Sequence, residues 1–227
     1  MESRRTVDMR LIVLVISSDN LGIYAQHREC WRLYSKSHPD VTVYFLQQRE
    51  DVLSPYIEGD VLWTSGTEAT ERVFEKTVAA FQMIPSSSYD FLVRTNLSSV
   101  WNFPLLLDFC ATLPRENVFC GVIGNPGISG AGMILSPDVV AKMIAHHRDI
   151  DRCMWDDIDF GKIAALCGIT AAPGFRCDPR SRSDVDAYWN RAYHFYLKDM
   201  RSGTRNVESE LDVMHYLISK IYPSASR

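Results

Sequence analysis

The chain has 227 residues, of which 46% are hydrophobic, and this is enough for one packed globular domain. Its 24 basic and 28 acidic residues give a net charge of -4, so it has no general positive field for a nucleic acid backbone, and we expect no nucleic acid partner. The six cysteines form no C-x-x-C pair. In a chain of this size, that pattern favours reduced thiols and a cytoplasmic location over a secreted disulfide framework.

The first predicted element is a strand at residues 10–16, a continuous apolar run rich in β-branched side chains. Such a run is typical of a strand that is buried on both faces of a parallel sheet, and we expect it to be the central strand. It is far shorter than the roughly 20 apolar residues that cross a bilayer. We therefore expect neither a membrane anchor nor a cleavable signal in this segment.

Helices and strands then alternate along the chain. Apolar side chains at helical spacing between Tyr24 and Tyr34 predict a helix that ends before Pro39, and a second strand follows at residues 41–46. The same unit is repeated as a strand at 60–63, a helix at 71–84 and a strand at 89–93.

A polar segment at residues 94–99 follows the strand at 89–93. The carboxyl ends of parallel strands open into the crevice where α/β proteins bind their ligands. We therefore expect the chemistry of this protein to lie at this segment, which begins as a loop where the strand ends.

The second half of the chain continues the pattern. Its predicted elements are a helix at 105–113, a strand at 118–123, a glycine-rich connection at 124–132, a strand at 133–135, helices at 137–143 and Asp156–Leu166, an aromatic-rich segment at 188–197 and a last amphipathic helix at Val207–Ile221. We predict one α/β domain over residues 10–222, with a central, mostly parallel sheet flanked by helices and with tails at 1–9 and 223–227.

Three motifs in this pattern carry more specific information. The first combines Lys76, in the helix at 71–84, with the sequence Arg-Thr-Asn-Leu-Ser at 94–98. The second is Ile-Ser-Gly-Ala-Gly at 128–132, and the third is Trp-Asp-Asp-Ile-Asp-Phe-Gly at 155–161. In order and spacing, they resemble the beta-1,3-galactosyltransferase and Fringe group of GT-A glycosyltransferases and related unanchored viral and bacterial enzymes.

The resemblance implies a Rossmann-like GT-A domain that transfers a sugar from a UDP- or GDP-sugar donor to a hydroxyl group of a glycan or glycoprotein. Asp157 matches the catalytic base of the inverting members. Inversion by a single displacement needs one carboxylate to take the proton from the acceptor hydroxyl as it attacks the anomeric carbon. The sequence and the resemblance together suggest a donor site and an acceptor site. For the donor, we expect Ser17, Ser18, Asn20, Lys76, Arg94, Asn96, Ser98, His194 and Lys198; for the acceptor or the transferred sugar, we expect Ser129, Gly130, Ala131, Gly132 and Asp156.

The metal-binding motif of the family is altered in this chain. Asn96 and Ser98 stand where the family has the outer aspartates of an Asp-x-Asp motif, which contacts the donor ribose and holds Mn²⁺ or Mg²⁺ on the diphosphate. An amide and a hydroxyl can bind a ribose but lack the negative charge that hard cations prefer. His194 is then the candidate metal ligand. Alternatively His194, Lys198, Arg201 or Arg205 supplies the positive charge that the diphosphate needs.

The missing carboxylates leave a second function open, that of a nucleotide-sugar-binding or carbohydrate-binding module without catalysis. Each motif alone also has a structural explanation: a turn after a strand, a tight connection between a strand and a helix, and acidic residues at a helix N-terminus. A dinucleotide-dependent oxidoreductase is disfavoured because no G-x-G-x-x-G sequence follows the first strand.

Overall fold

The computed structural model describes residues 9–19, 22–36, 38–124, 127–200 and 203–223. The strands are β1 Leu11–Ile16, β2 Val41–Arg49, β3 Tyr56–Glu58, β4 Val61–Ser65, β5 Phe91–Asn96, β6 Ser99–Trp101, β7 Phe119–Ile123, β8 Ile128–Leu135, β9 Ala172–Pro173 and β10 His194–Tyr196. The helices are α1 Gly22–Ser35, α2 Val73–Met83, α3 Phe103–Cys110, α4 Pro137–His146, α5 Asp156–Leu166, α6 Arg182–Tyr188 and α7 Val207–Ile221. Among these described helices, none is long and apolar enough to cross a membrane.

Eight strands form the central sheet, in the order β3-β4-β2-β1-β5-β8-β7-β9. Strands β4, β2, β1 and β5 are parallel neighbours, whereas β8 runs antiparallel between β5 and β7. Strands β6 and β10 form a separate antiparallel pair. The predicted α/β class, with a central, mostly parallel sheet flanked by helices, is confirmed. The domain bounds at 10 and 222 stay a prediction, because the tails lie almost wholly outside the described residues.

The position of β1 between two core layers explains why its sequence is continuously apolar. Leu11, Val13 and Val15 belong to the core layer that packs against α1, α3 and α7, whereas Ile12 and Leu14 belong to the layer that packs against α2, α4 and α5. A strand covered on both faces needs an apolar side chain at every position. Full burial of each such side chain contributes about 1.5–3 kcal/mol to folding. The prediction that this strand is central is confirmed, since it pairs with β2 and β5.

Two boundaries differ from those predicted. Strand β5 continues through Arg94 to Asn96, so the predicted loop start at residue 94 was wrong. The strand continues because Arg94, Thr95 and Asn96 stay paired with β1, and Thr95 Oγ1 also donates to the Ala131 carbonyl at 2.7 Å. Residues 128–132, predicted as a connection, form the first part of β8, where Gly132 pairs with Thr95.

Candidate functional site

A cleft of about 350 Å³ opens where β1 and β5 end. The two strands are parallel neighbours in which Ile16 pairs with Asn96, so the segments that follow them meet at one edge of the sheet. Six of the predicted donor residues line this cleft, namely Ser17, Ser18, Lys76, Asn96, Ser98 and Lys198. Arg94 and His194 do not line it. Asn20 and Arg201 lie outside the described residues.

The loop after β1 is held in place by two side chains that the sequence did not indicate. Arg28 donates to Ser17 Oγ at 3.1 Å and to the Ser18 carbonyl at 2.8 Å. Gln47 of β2 donates to Ser17 Oγ at 3.2 Å. Both serines therefore reach the cleft from a fixed backbone.

Lys76 is a buried charge in the wall of the cleft. Its Nζ donates to Glu68 Oε2 at 2.6 Å and to the Ser17 carbonyl at 2.9 Å. Burial lowers the pKa of Lys76, and the carboxylate of Glu68 opposes that shift. The other oxygen of Glu68 accepts the backbone N–H of Gln48 at 2.6 Å. Both members of the ion pair between Lys76 and Glu68 are thus also hydrogen-bonded to the backbone.

Arg205 brings a second cation to the cleft from the segment before α7. Its guanidinium binds both carboxylate oxygens of Glu210, with the shortest contact at 2.7 Å, and donates to Ser98 Oγ at 2.6 Å and to the Tyr24 hydroxyl at 3.2 Å. Glu210 is buried, and His27 Nε2 lies 3.6 Å from its Oε2. Burial would raise the pKa of Glu210, but His27 and Arg205 outweigh it and lower that pKa.

A second group of side chains joins the three sequence motifs; we call Arg94, Gly130, Asp156 and Asp157 the Arg94 cluster. The Arg94 guanidinium donates to the Gly130 carbonyl on β8 and to the Asp156 carboxylate at the start of α5. The Gly130 backbone N–H donates to Asp157 Oδ2 at 3.0 Å. Burial raises the pKa of Asp156 against the effect of Arg94. A Cβ at Gly130 would lie 3.2 Å from Arg94 Nη1 and 3.3 Å from Asp157 Cβ, so glycine keeps the cluster compact.

The Arg94 cluster lies beside the cleft. Arg94 and Asn96 are alternate residues of β5 and therefore project from the same face of the sheet. The charges of Arg94 and Asp156 are also close enough to act on the pKa of Lys76, which lines the cleft. Strand β5 thus connects a polar cleft with a pair of neighbouring carboxylates.

The third acidic residue of the motif at 155–161 has a structural role. Asp159 is fully buried and accepts from Arg152 at 2.8 Å, from Lys162 at 3.1 Å and from the Cys153 backbone at 3.1 Å. Burial would raise the pKa of Asp159, but the hydrogen bonds from Arg152 and Lys162 outweigh it and lower that pKa. The carboxylates of Asp156 and Asp157 are therefore the two that remain for chemistry at the start of α5.

His194 is packed inside the protein rather than at the cleft. Its ring stacks on Trp101, with centroids 3.9 Å apart, and its Nε2 lies 3.2 Å from Ser99 Oγ. A Cβ at Gly132 would lie 2.5 Å from His194 Cε1, which explains the glycine at this position. The other predicted sugar-binding residues lie nearby on β8: Ala131 is buried, and Ser129 Oγ accepts from Arg176 at 3.1 Å.

The chain is similar to known proteins in structure and not in sequence. No family model and no curated protein sequence matches it. Several solved glycosyltransferases are similar in structure. The catalytic domain of Drosophila beta1,4-galactosyltransferase 7, with xylobiose, has 12% identity and a TM-score of 0.46 over 73% of this chain and 64% of its own. A second structure of this Drosophila enzyme, with manganese, UDP-Gal and xylobiose, has 10% identity and a TM-score of 0.49 over 87% of this chain and 74% of its own.

A viral enzyme is also similar, a glycosyltransferase involved in glycosylation of the major capsid of PBCV-1. It has 12% identity and a TM-score of 0.49 over 90% of this chain and 98% of its own. A glycosyltransferase of Streptococcus pneumoniae has 8% identity and a TM-score of 0.48 over 96% of this chain and 64% of its own. The chain thus spans 64% of the length of two of these structures. At these scores, the likeness concerns the general course of the chain and not the site residues.

The side chains of the cleft do not fit a hard divalent cation. Ser98 Oγ accepts a hydrogen bond from the positively charged Arg205, and the two oxygens of Glu68 are bound by Lys76 and a backbone N–H. Within the ranges that the structure describes, no group of three or more His, Cys, Asp or Glu residues is arranged to hold a metal. Mn²⁺ and Mg²⁺ prefer charged oxygen ligands, and the described residues offer the amide of Asn96 instead.

We expect His194 to make the protein less stable as the pH falls. Burial lowers the pKa of His194 well below its ordinary value of 6.5, so the unfolded chain binds this proton more readily than the folded chain. Its contribution to the free energy of unfolding is therefore complete above pH 6.5 and falls by about 1.4 kcal/mol per pH unit below it, until the folded-state pKa is reached. Urea unfolding of the wild type and of His194→Gln at pH 7.5, 6.5 and 5.5 measures this. An unchanged pH dependence in the variant would contradict it.

Proposed function

We propose that the protein is a glycosyltransferase that moves a sugar from a nucleoside-diphosphate-sugar donor to a hydroxyl group of a carbohydrate or glycoprotein acceptor, with inversion at the anomeric carbon. One observation carries the proposal. The three motifs are far apart in the sequence, yet Arg94, Gly130 and the carboxylates of α5 meet in one hydrogen-bonded cluster beside a polar cleft. Structural explanations that apply to each motif separately do not account for this convergence.

The cleft has the properties of a donor site. Its volume of about 350 Å³ lies within the range of about 300–1,000 Å³ typical of small-molecule sites. Polar groups enter it from the ends of two parallel strands, where α/β proteins bind nucleotides. Asn96 lines the cleft and is only partly buried, so its side-chain amide is placed to bind a ribose hydroxyl. Ser17 and Ser18 enter from the neighbouring loop, and Lys198 adds positive charge.

Asp157 is the proposed base. Its Oδ2 accepts the Gly130 N–H at 3.0 Å and its Oδ1 accepts the Ile158 N–H at 3.0 Å, so the carboxylate is oriented but keeps further lone pairs. Either carboxylate oxygen can take the proton of an acceptor hydroxyl. The hydroxyl oxygen forms its bond to the anomeric carbon as the bond to the nucleoside diphosphate breaks on the opposite side. Asp156 and the β8 residues Ser129, Gly130, Ala131 and Gly132 form the proposed sugar side of the site.

A binding module without catalysis is the second candidate, because Ser98 is bonded to Arg205 and not free for a cation. Calorimetry with UDP, GDP and their sugars, combined with a donor-hydrolysis assay, separates the two. We expect saturable binding of one nucleotide per chain and slow release of the sugar to water. Binding without hydrolysis and without transfer to any acceptor would favour the module. No binding of any nucleotide would contradict both candidates.

A further inference from the structure

We propose that Arg205, together with Lys198, neutralises the diphosphate of the donor in place of a divalent cation, so that the protein binds and uses its donor without metal. The inference rests on the proposed function and adds to it which groups stabilise the leaving diphosphate. The inference follows from the side chains that lie at the altered Asp-x-Asp motif.

The segment just after β5 already binds a positively charged side chain, that of Arg205. Ser98, at the place of an aspartate in the family motif, accepts from Arg205 Nη2 at 2.6 Å. A divalent cation at the same oxygen would have to displace this hydrogen bond and lie beside a guanidinium. Like charges at this separation repel, and an uncharged hydroxyl offers the cation no compensation.

Arg205 retains capacity for a ligand. A guanidinium has five N–H groups. The single N–H of Nε and the two of Nη2 are used by Glu210 and Ser98, and one N–H of Nη1 is used by Tyr24. One N–H of Nη1 is therefore left by the described contacts, on a side chain that lines the cleft. The bidentate contact with Glu210 fixes the guanidinium plane, so little side-chain entropy is lost when it binds a phosphate oxygen.

Lys198 supplies a charge that no described residue compensates with an ion pair. It is exposed and lines the cleft, and no ion pair to it is seen in the described part of the chain. Lys76, by contrast, is paired with Glu68, and the carboxylate of Glu210 offsets much of the charge of Arg205. A diphosphate therefore meets one directed guanidinium N–H and one free ammonium group, which is a metal-independent way to stabilise the charge on a leaving group.

A purely structural explanation of Arg205 makes a different prediction. If it only tied the start of α7 to β5, its replacement would change stability and leave the affinity for the diphosphate unchanged in the folded fraction. Lys198 offers a further distinction, because an exposed side chain without an ion pair has little effect on folding.

Calorimetry of the full chain with UDP and GDP tests the proposal. We expect the Kd of the nucleotide that binds to be the same, within about twofold, in EDTA and in Mn²⁺. Arg205→Lys, which keeps the charge but loses the fixed fork, should weaken binding about 10- to 100-fold, as expected for loss of a charge-assisted hydrogen bond. Lys198→Met should weaken it about 3- to 10-fold, because the lost ion contact is exposed to solvent. The matched control Arg182→Lys, at an exposed arginine paired with Asp212, should bind like the wild type.

The unphosphorylated nucleoside provides the control for the diphosphate itself. Its weaker binding should be equal in the wild type and in the Arg205 and Lys198 variants, all checked for folding by circular dichroism. Diphosphate binding that requires Mn²⁺ would overturn this inference and leave the proposed transferase intact. Unchanged diphosphate affinity in folded Arg205→Lys and Lys198→Met would also overturn it. Failure of every nucleoside diphosphate to bind in either buffer would instead overturn the proposed function.

Discussion

Replacement of Asp157 by asparagine is expected to lower the kcat of sugar transfer by about 10²- to 10⁴-fold, the usual contribution of a general base. The amide has nearly the same shape as the carboxylate, and its oxygen can still accept the Gly130 N–H that holds Asp157 now. It cannot take the proton of the acceptor hydroxyl at neutral pH. Steady-state kinetics should therefore show a loss in kcat, while calorimetry shows unchanged affinity for the donor nucleotide.

A matched substitution controls for the general effect of removing a carboxylate. Asp108 is exposed on α3 and neither lines the cleft nor belongs to the Arg94 cluster, so Asp108→Asn should leave transfer unchanged. Transfer by Asp157→Asn at the rate of this control would show that another group is the base or that none is needed. Equal loss of activity in both variants, with a lower melting temperature, would point to stability instead.

The elements predicted most accurately are those whose hydrophobic pattern lies entirely within the element itself. The last helix, Val207–Ile221, has the bounds that its amphipathic period indicated, and β1 lacks only the first residue of its prediction. Strands β3, β6, β9 and β10 were not predicted, because two or three residues contain too little periodicity to distinguish a strand from a loop. Their positions depend on partners elsewhere in the chain.

The site was predictable where a motif lay at the end of a recognisable strand. Ser17, Asn96 and Ser98 were expected at a cleft for that reason, and they line it. His194 was not distinguishable from a cleft residue, since its burial depends on the contacts with Trp101 and Gly132. Most of the side chains that hold the cleft together bind residues that are distant in the sequence. No local sequence pattern indicates such contacts.

Glu210 is an exception that the sequence could have revealed. It lies four residues before Met214 and seven before Leu217, on the apolar face of α7, where a carboxylate requires a buried partner. That partner, Arg205, is five residues upstream. A charged residue on the buried face of an amphipathic helix therefore deserved a place among the candidate site residues.

Arg94→Met should destabilise the protein by about 3–5 kcal/mol, the usual cost of leaving one partner of a buried ion pair alone. The Arg94 side chain is 3% exposed and that of Asp156 is 13% exposed, so water cannot replace the lost hydrogen bonds well. The Gly130 carbonyl loses its donor in the same step. Urea unfolding measures the change, and transfer activity should fall as well, because Gly130 also positions Asp157.

The double variant Arg94→Met/Asp156→Leu distinguishes an unpaired charge from lost packing. Replacing both members of a buried ion pair by apolar side chains is often neutral or stabilising, so the double variant should recover most of the stability that Arg94→Met loses. Arg182→Met is the exposed counterpart, and it should leave the unfolding midpoint nearly unchanged because solvent screens its pair with Asp212. If Arg94→Met were no worse than Arg182→Met, the Arg94 cluster would not be a buried electrostatic unit. The stability that Arg94→Met loses therefore measures how strongly the Arg94 cluster joins the three motifs beside the proposed site.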